Sequence, residues 1–188
     1  MEAIDAIMTR RSVRMFEKRQ IPDAILDKII RAGTYAPSAL ALQPWGFVVV
    51  QDQAFLTRVS EYCKPIIVKL LGDAHDEMSD AFRALLESKG SSIYYHAPTV
   101  IMVIGKTESQ FREIDCSLCA ENMMLAAHAL GIGSCWIGST GVAYDNKELM
   151  EGFHIPEGYS PVGTIVFGYP AEKPEAHGKK EPQETWVR

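Results

Sequence analysis

The sequence has little cysteine, no long apolar run and no excess of basic charge, and each shortage removes a class of function. Its four cysteines are Cys63, Cys116, Cys119 and Cys135. Cys116 and Cys119 form one C-x-x-C inside a helical pattern, and no second pair stands at zinc-site spacing. The plain reading is small residues in a packed helix face, reduced in the cell. The histidines His75, His96, His128, His154 and His177 are scattered, with no H-x-x-x-H pair, so no metal site is expected. No apolar stretch nears the roughly 18 to 20 residues of a membrane span. Met1 to Asp5 lacks the basic head and apolar centre of a signal peptide, and the expectation is a cytoplasmic protein with no membrane partner. A net charge of −5 argues against nucleic acid as a partner. There is no internal repeat, no low-complexity linker, no catalytic triad and no paired-carboxylate motif.

What is present suits one globular domain: 188 residues, 47% hydrophobic and 23% charged. The most informative stretch is Arg10-Arg11-Ser12-Val13-Arg14. It follows a short amphipathic run with Ile4, Ile7 and Met8 at helical spacing, and it precedes Ile21-Pro22-Asp23, which opens a second helix. Three guanidinium groups and a hydroxyl therefore stand at a junction, where side chains can converge on one ligand. Arginine suits that task because its planar fork meets phosphate or carboxylate bidentately and stays charged. Read alone, the stretch is more simply a solvated basic turn. In an acidic chain, a small anion is its natural partner.

Further along, residues 22–35 carry Ile25, Ile29 and Ile30 between Pro22 and Gly33, a helix with ordinary start and stop signals. Pro37 to Trp45 brackets small residues with two prolines and makes a shaped loop. Gly46 to Val50 and Pro98 to Gly105 are unbroken apolar runs, read as buried strands. Between them, residues 53–62 suggest a short helix, and residues 65–90 a weakly defined helical region with a polar stretch from Asp73 to Asp80. Residues 113–130 predict the longest helix, apolar on nearly every side. Such a helix is buried all round, either at the centre of one core or under a partner subunit. Gly131 to Gly141 is Gly-rich but lacks the G-x-G-x-x-G arrangement after a strand. Its glycines allow backbone N–H groups to approach a flat ligand closely. A last strand covers residues 161–168. The polar, Pro-rich end either dangles or wraps a neighbour, and Trp186 favours wrapping. At least four apolar strands alternating with helices, joined by long crossovers, predict an α+β or α/β sandwich.

In order along the chain, four segments resemble the nitroreductase family of flavoproteins. They are Arg10-Arg11-Ser12-Val13-Arg14; Pro37-Ser38-Ala39 with Gln43-Pro44-Trp45; the helix from Asp115 through Ala120-Glu121-Asn122-Met123, with Leu130 to Gly138 behind it; and Gly168-Tyr169-Pro170 with basic residues and Pro182 following. The resemblance covers essentially the whole chain. It implies one domain over residues 1–188, an α+β fold built as an α/β/α sandwich on a mixed, mainly antiparallel sheet. It also implies an intertwined homodimer, with residues 170–188 as an arm around the partner. Two FMN molecules would lie at the dimer interface.

Carried over residue by residue, Arg10, Arg11, Ser12 and Arg14 are implied FMN ligands, giving phosphate contacts and a cation near the N1/O2 edge of the ring. Pro37, Ser38 and Ala39, with Gln43 behind them, would reach the partner's flavin. Trp136, Ile137 and Gly138 would set backbone groups near N5. Lys180, with Lys179, would help hold the phosphate. Where the family often has Asn, this chain has Ala41, which removes one polar contact. The implied chemistry is ping-pong: NADH or NADPH reduces the flavin at N5, and a small-molecule acceptor such as a nitroaromatic or quinone then takes the electrons, with no catalytic side chain required. The same fold also admits dehalogenation, dehydrogenation or flavin cleavage, and a non-catalytic FMN-binding protein or a ligand-free helical scaffold remains a rival.

Overall fold

Four antiparallel strands form one sheet in the computed structural model, which describes residues 1–72, 76–176 and 178–188. They are β1 (Trp45–Val50), β2 (Thr99–Lys106), β3 (Gly133–Trp136) and β4 (Tyr159–Gly168), in the spatial order β1-β2-β4-β3. Val48 pairs with Met102, Ile101 with Ile165, and Cys135 with Val166. The first two strands begin one residue from their expected starts, and β4 begins two residues early.

The unbroken apolar runs have a direct cause, because successive side chains of a strand point to opposite faces. On β2, Val100, Met102 and Ile104 pack into one core, while Ile101 and Val103 pack into a second on the other face. The first core is closed by α3 (Gln53–Leu71) and the second by α2 (Asp23–Gly33) and α5 (Arg112–Ala129). A strand covered on both faces has no position for a polar side chain. The strand pairs are all antiparallel; the one parallel pairing among the described residues is the isolated bridge Ser12–Ser134.

The middle of the chain departs from expectation. The short helix expected over 53–62 runs on to Leu71 through Pro65, and at 19 residues α3 exceeds the 18 of α5. A proline removes one helical hydrogen bond. Pro65 is exposed, and the buried series Leu56, Val59, Cys63 and Ile67 continues on both sides of it, so burial outweighs the local breaker. A separate helix α4 (Glu77–Glu87) follows. Residues 73–75 of the expected polar stretch lie outside the described residues, as does His177.

Asp52 caps α3, its carboxylate accepting from the N–H groups of Ala54 at 2.9 Å and Phe55 at 3.0 Å. Asp52→Ala is expected to cost about 1 kcal/mol, lowering the thermal midpoint by about 2–4 °C. Calorimetry checks this; an unchanged midpoint would mean that the cap carries no net stability.

The short helices α1 (Ala3–Thr9) and α6 (Lys147–Gly152) complete the fold. No helix among the described residues is long and apolar enough to cross a membrane. On its own chain α5 is not buried all round: Met123 and Ala127 are enclosed, but Ile114 and Leu118 are exposed. Beyond Pro170 the chain forms no helix or strand among the described residues, and Trp186 is 70% exposed.

Candidate functional site

The arginine stretch runs along the edge of the sheet, with isolated bridges from Ser12 to Ser134 and from Phe16 to Pro170. The Val13 N–H donates to the Ser134 carbonyl at 3.0 Å, on the outer edge of β3. Beyond it, Glu17 N–H donates to the Tyr169 carbonyl and Ala171 N–H to the Met15 carbonyl, both at 2.9 Å. Residues 12–17 are thus laced between the edge of the sheet and the chain leaving β4. Alternation turns Val13 into the protein, where it lies against Gly133. A Cβ at Gly133 would meet Val13 Cγ2 at 2.7 Å and Cβ at 2.8 Å, so the close approach of the two backbones requires glycine there.

The three guanidinium groups have different surroundings. Arg11 turns back onto the end of α1, donating to the carbonyls of Met8 and Arg10, each at 2.8 Å. That contact also suits the negative end of the helix. Arg10 Nε lies 3.5 Å from the Glu121 carboxylate on α5. Arg14 Cζ stands 6.0 Å from the centre of the Tyr95 ring.

All three arginines, with Ser12, line one cleft of about 350 Å³, and Lys179 comes back from the C-terminal segment to join them. Glu172 and Glu175 form part of the same rim. A neighbouring cavity of about 690 Å³ shares Arg10 and Arg11 and is also lined by His128 and Ser134. Burial, and then the charges of Arg10 and Arg11, lower the His128 pKa below its ordinary value. Burial pushes the Cys135 thiol up, against the opposing effects of Arg14 and a hydrogen bond from Ser12, so it is no thiolate nucleophile at neutral pH.

Of the other expected residues, Lys180 lines neither cavity. Pro37, Ser38, Ala39 and Gln43 also lie away from both, on the loop between α2 and β1. That loop holds Leu40, Ala41 and Gln43 at φ of 51°, 55° and 45°, three non-glycine residues in the left-handed region. Such conformations cost on the order of 1–3 kcal/mol each and persist only where the surroundings hold them. Two contacts do so. The buried Asp115 carboxylate accepts from Ala39 N–H at 3.2 Å and 3.3 Å, and Ser38 Oγ accepts from Gln43 N–H at 3.1 Å. Ala41 is a left-handed residue where asparagine would be at ease. Asp115→Ala is expected to destabilise the protein by about 1–3 kcal/mol and to speed amide exchange through residues 38–43. Unchanged exchange there would show that the loop holds its shape without Asp115.

The Trp136–Gly138 segment leaves the end of β3. The Trp136 indole covers Gly163 so closely that a Cβ there would overlap its ring. The Ile137 N–H is already engaged, donating to the Thr164 carbonyl at 2.8 Å. Gly138 opens a 3₁₀ turn, which leaves its N–H without an intrahelical acceptor. Tyr95 reaches Arg14, and His128 the cavity beside Arg10 and Arg11, without any sign in the sequence. Tyr95 lies in an irregular loop, and His128 is one of several polar residues on α5.

The chain as a whole has relatives. The model of the Nitroreductase family matches residues 7–169. A protein of Methanothermobacter thermautotrophicus, provisionally named an NADH dehydrogenase/NAD(P)H nitroreductase, is 32% identical over 184 residues, spanning 93% of this chain and 80% of its own. The crystal structure of an FMN-bound nitroreductase from Bacteroides fragilis is 32% identical, with a TM-score of 0.78 over 100% of this chain and 98% of that one. An FMN-bound nitroreductase from Desulfitobacterium hafniense is 25% identical, with a TM-score of 0.82 over the full length of both chains. Sequence and fold therefore agree, and this chain belongs to the Nitroreductase family.

Proposed function

We propose that this chain is an FMN-dependent oxidoreductase that takes electrons from NADH or NADPH and passes them to a small oxidised acceptor, such as a nitroaromatic or a quinone. The observation that carries the reading is the arginine cleft. Arg10, Arg11, Ser12, Arg14 and Lys179 surround one space with guanidinium, hydroxyl and ammonium donors. That donor set fits a phosphate ester. When bound, FMN supplies hydride acceptance and donation at N5. The chain binds and orients: Arg10 and Lys179 hold the phosphate, Lys180 adds its charge from outside the cleft wall, and Ser12 donates from the sheet edge. Arg14 supplies a fixed positive charge at the N1/O2 edge, and the Trp136–Gly138 backbone lines the ring.

The working unit in this proposal is a homodimer. Ile4, Ile7, Met8, Leu40, Ile114 and Leu118 are exposed on the single chain, which is the surface a second copy would cover. The loop bearing Pro37, Ser38 and Ala39 then reaches the partner's cofactor, and residues 170–188 wrap the partner. Donor and acceptor use the same open ring face in turn, a ping-pong cycle. The four free, buried thiols suit the reducing cytoplasm.

The test is the visible spectrum of the purified chain before and after anaerobic NADH and NADPH. Flavin bands that bleach with a donor and return with an acceptor support the reading. Bands that never bleach leave an FMN-binding protein without this activity. A colourless chain that ignores added FMN overturns the proposal.

A further inference from the structure

We propose that Tyr95 is a positioning residue, presented by a strained loop to hold the Arg14 guanidinium in place for the cofactor. This rests on the FMN reading above and concerns a residue that reading does not use.

Three observations carry it. The first is the state of the arginines. Arg10 is paired with Glu121, and Arg11 is turned onto the carbonyls ending α1. Among the described residues no carboxylate pairs with Arg14, and its neighbour is Tyr95, with 6.0 Å from Cζ to the ring centre and the guanidinium also acting on the phenol oxygen as a hydrogen-bond donor. An aromatic face attracts a guanidinium without cancelling its charge. Arg14 is therefore held while its full charge stays available to a ligand.

The second is the loop. Tyr95 and His96 both have φ of 53°, two successive non-glycine residues in the left-handed region. Anchors stand on both sides of this corner. Ile93 N–H donates to Ser60 Oγ at 3.0 Å, Thr140 Oγ1 donates to the buried Tyr94 hydroxyl at 3.3 Å, and Gln53 Nε2 donates to the Ala97 carbonyl at 3.3 Å. Backbone strain maintained by surrounding contacts is a mark of a placed side chain. What this corner places is the Tyr95 ring.

The third is the charge state beneath Arg14. Burial raises the Tyr95 phenol and the Cys135 thiol above their ordinary pKa values, so both stay neutral at physiological pH. Neither supplies an anion to compete with the ligand. A cation immobilised this way favours reduced flavin, whose negative charge lies at the N1/O2 edge, over oxidised flavin.

The experiment uses the full chain loaded with FMN and measures the reduction potential of the bound flavin. Tyr95→Asn removes the ring at a residue type that tolerates the left-handed region. Tyr95→Leu removes it while keeping apolar bulk. Each is expected to lower the ratio of reduced to oxidised FMN affinity about tenfold, a shift of about 30 mV to more negative potential. Tyr95→Phe keeps the ring but loses the hydroxyl that Arg14 also meets, and gives a potential between those of wild type and Tyr95→Leu. Arg14→Gln lowers the potential too, and Tyr95→Asn on that background adds nothing further. Wild-type potential in whichever of the Asn and Leu variants folds, with Arg14→Gln still shifted, overturns the role of Tyr95 and leaves the FMN reading standing. Additive shifts also overturn it, because Tyr95 then acts other than through Arg14. A wild-type chain that binds no FMN sinks the functional reading and this inference with it.

Discussion

Arg10→Gln is expected to weaken FMN binding about a hundredfold while leaving the thermal midpoint of the FMN-free protein within about 2 °C of wild type. A charge-assisted hydrogen bond of this kind contributes about 1.5–3 kcal/mol, and each 1.4 kcal/mol is a tenfold change in affinity. Arg10 is not an ordinary surface cation. Its side chain is 24% exposed, so solvent and salt screen it less than they screen Lys180. Its removal also leaves the Glu121 carboxylate, now 3.5 Å from Arg10 Nε, without its cation. That negative charge, on α5 next to Arg10, then opposes a phosphate bound in the cleft, which adds to the loss. Lys180→Gln, at an exposed position off the cleft wall, should weaken binding by about threefold only. Titration of FMN fluorescence measures both. An Arg10→Gln dissociation constant within about threefold of wild type would remove Arg10 from the phosphate site.

Gly133→Ala should disturb stability and the site together. The added Cβ would stand 2.7–2.9 Å from three side-chain atoms of Val13, one of them the Val13 Cβ itself. Rotating the valine cannot clear its own Cβ, so the backbone of residues 12–14 must retreat from β3. The bond from Val13 N–H to the Ser134 carbonyl, 3.0 Å long, stretches with it. Overpacking of this kind costs about 1–3 kcal/mol, which lowers the thermal midpoint by about 2–12 °C for a chain of this size. Ser12 and Arg14 ride on the same segment, so FMN affinity should fall about tenfold as well. Gly138→Ala is the control, since a Cβ there meets nothing within 4 Å. A Gly133→Ala protein with wild-type melting and wild-type affinity would show that the arginine stretch moves freely against the sheet.

The runs from Gly46 to Val50 and from Thr99 to Gly105 were legible as strands because two-sided burial writes itself into adjacent residues. The α2 helix was legible for the same reason, its apolar spacing and end signals being local. The ordered segments around Arg10, Pro37, Ala120 and Tyr169 were enough to identify the family. Other features depend on partners far along the chain. The short helix expected over 53–62 is carried on through Pro65 to Leu71 by the core beneath α3. The Ala39 N–H finds its acceptor on Asp115, 76 residues away, and Val13 finds its own on Ser134 across the sheet edge. Arg10, Arg11 and Arg14 are near-identical as letters. Only the packing of α1, α5 and the Tyr95 loop around them makes one an ion pair, one a helix cap and one a cation over a ring. Periodicity and turn chemistry act over a few residues, and they determined the elements and their order. Long-range packing, which brings distant groups to one edge of the sheet, decided what each side chain in the site can do.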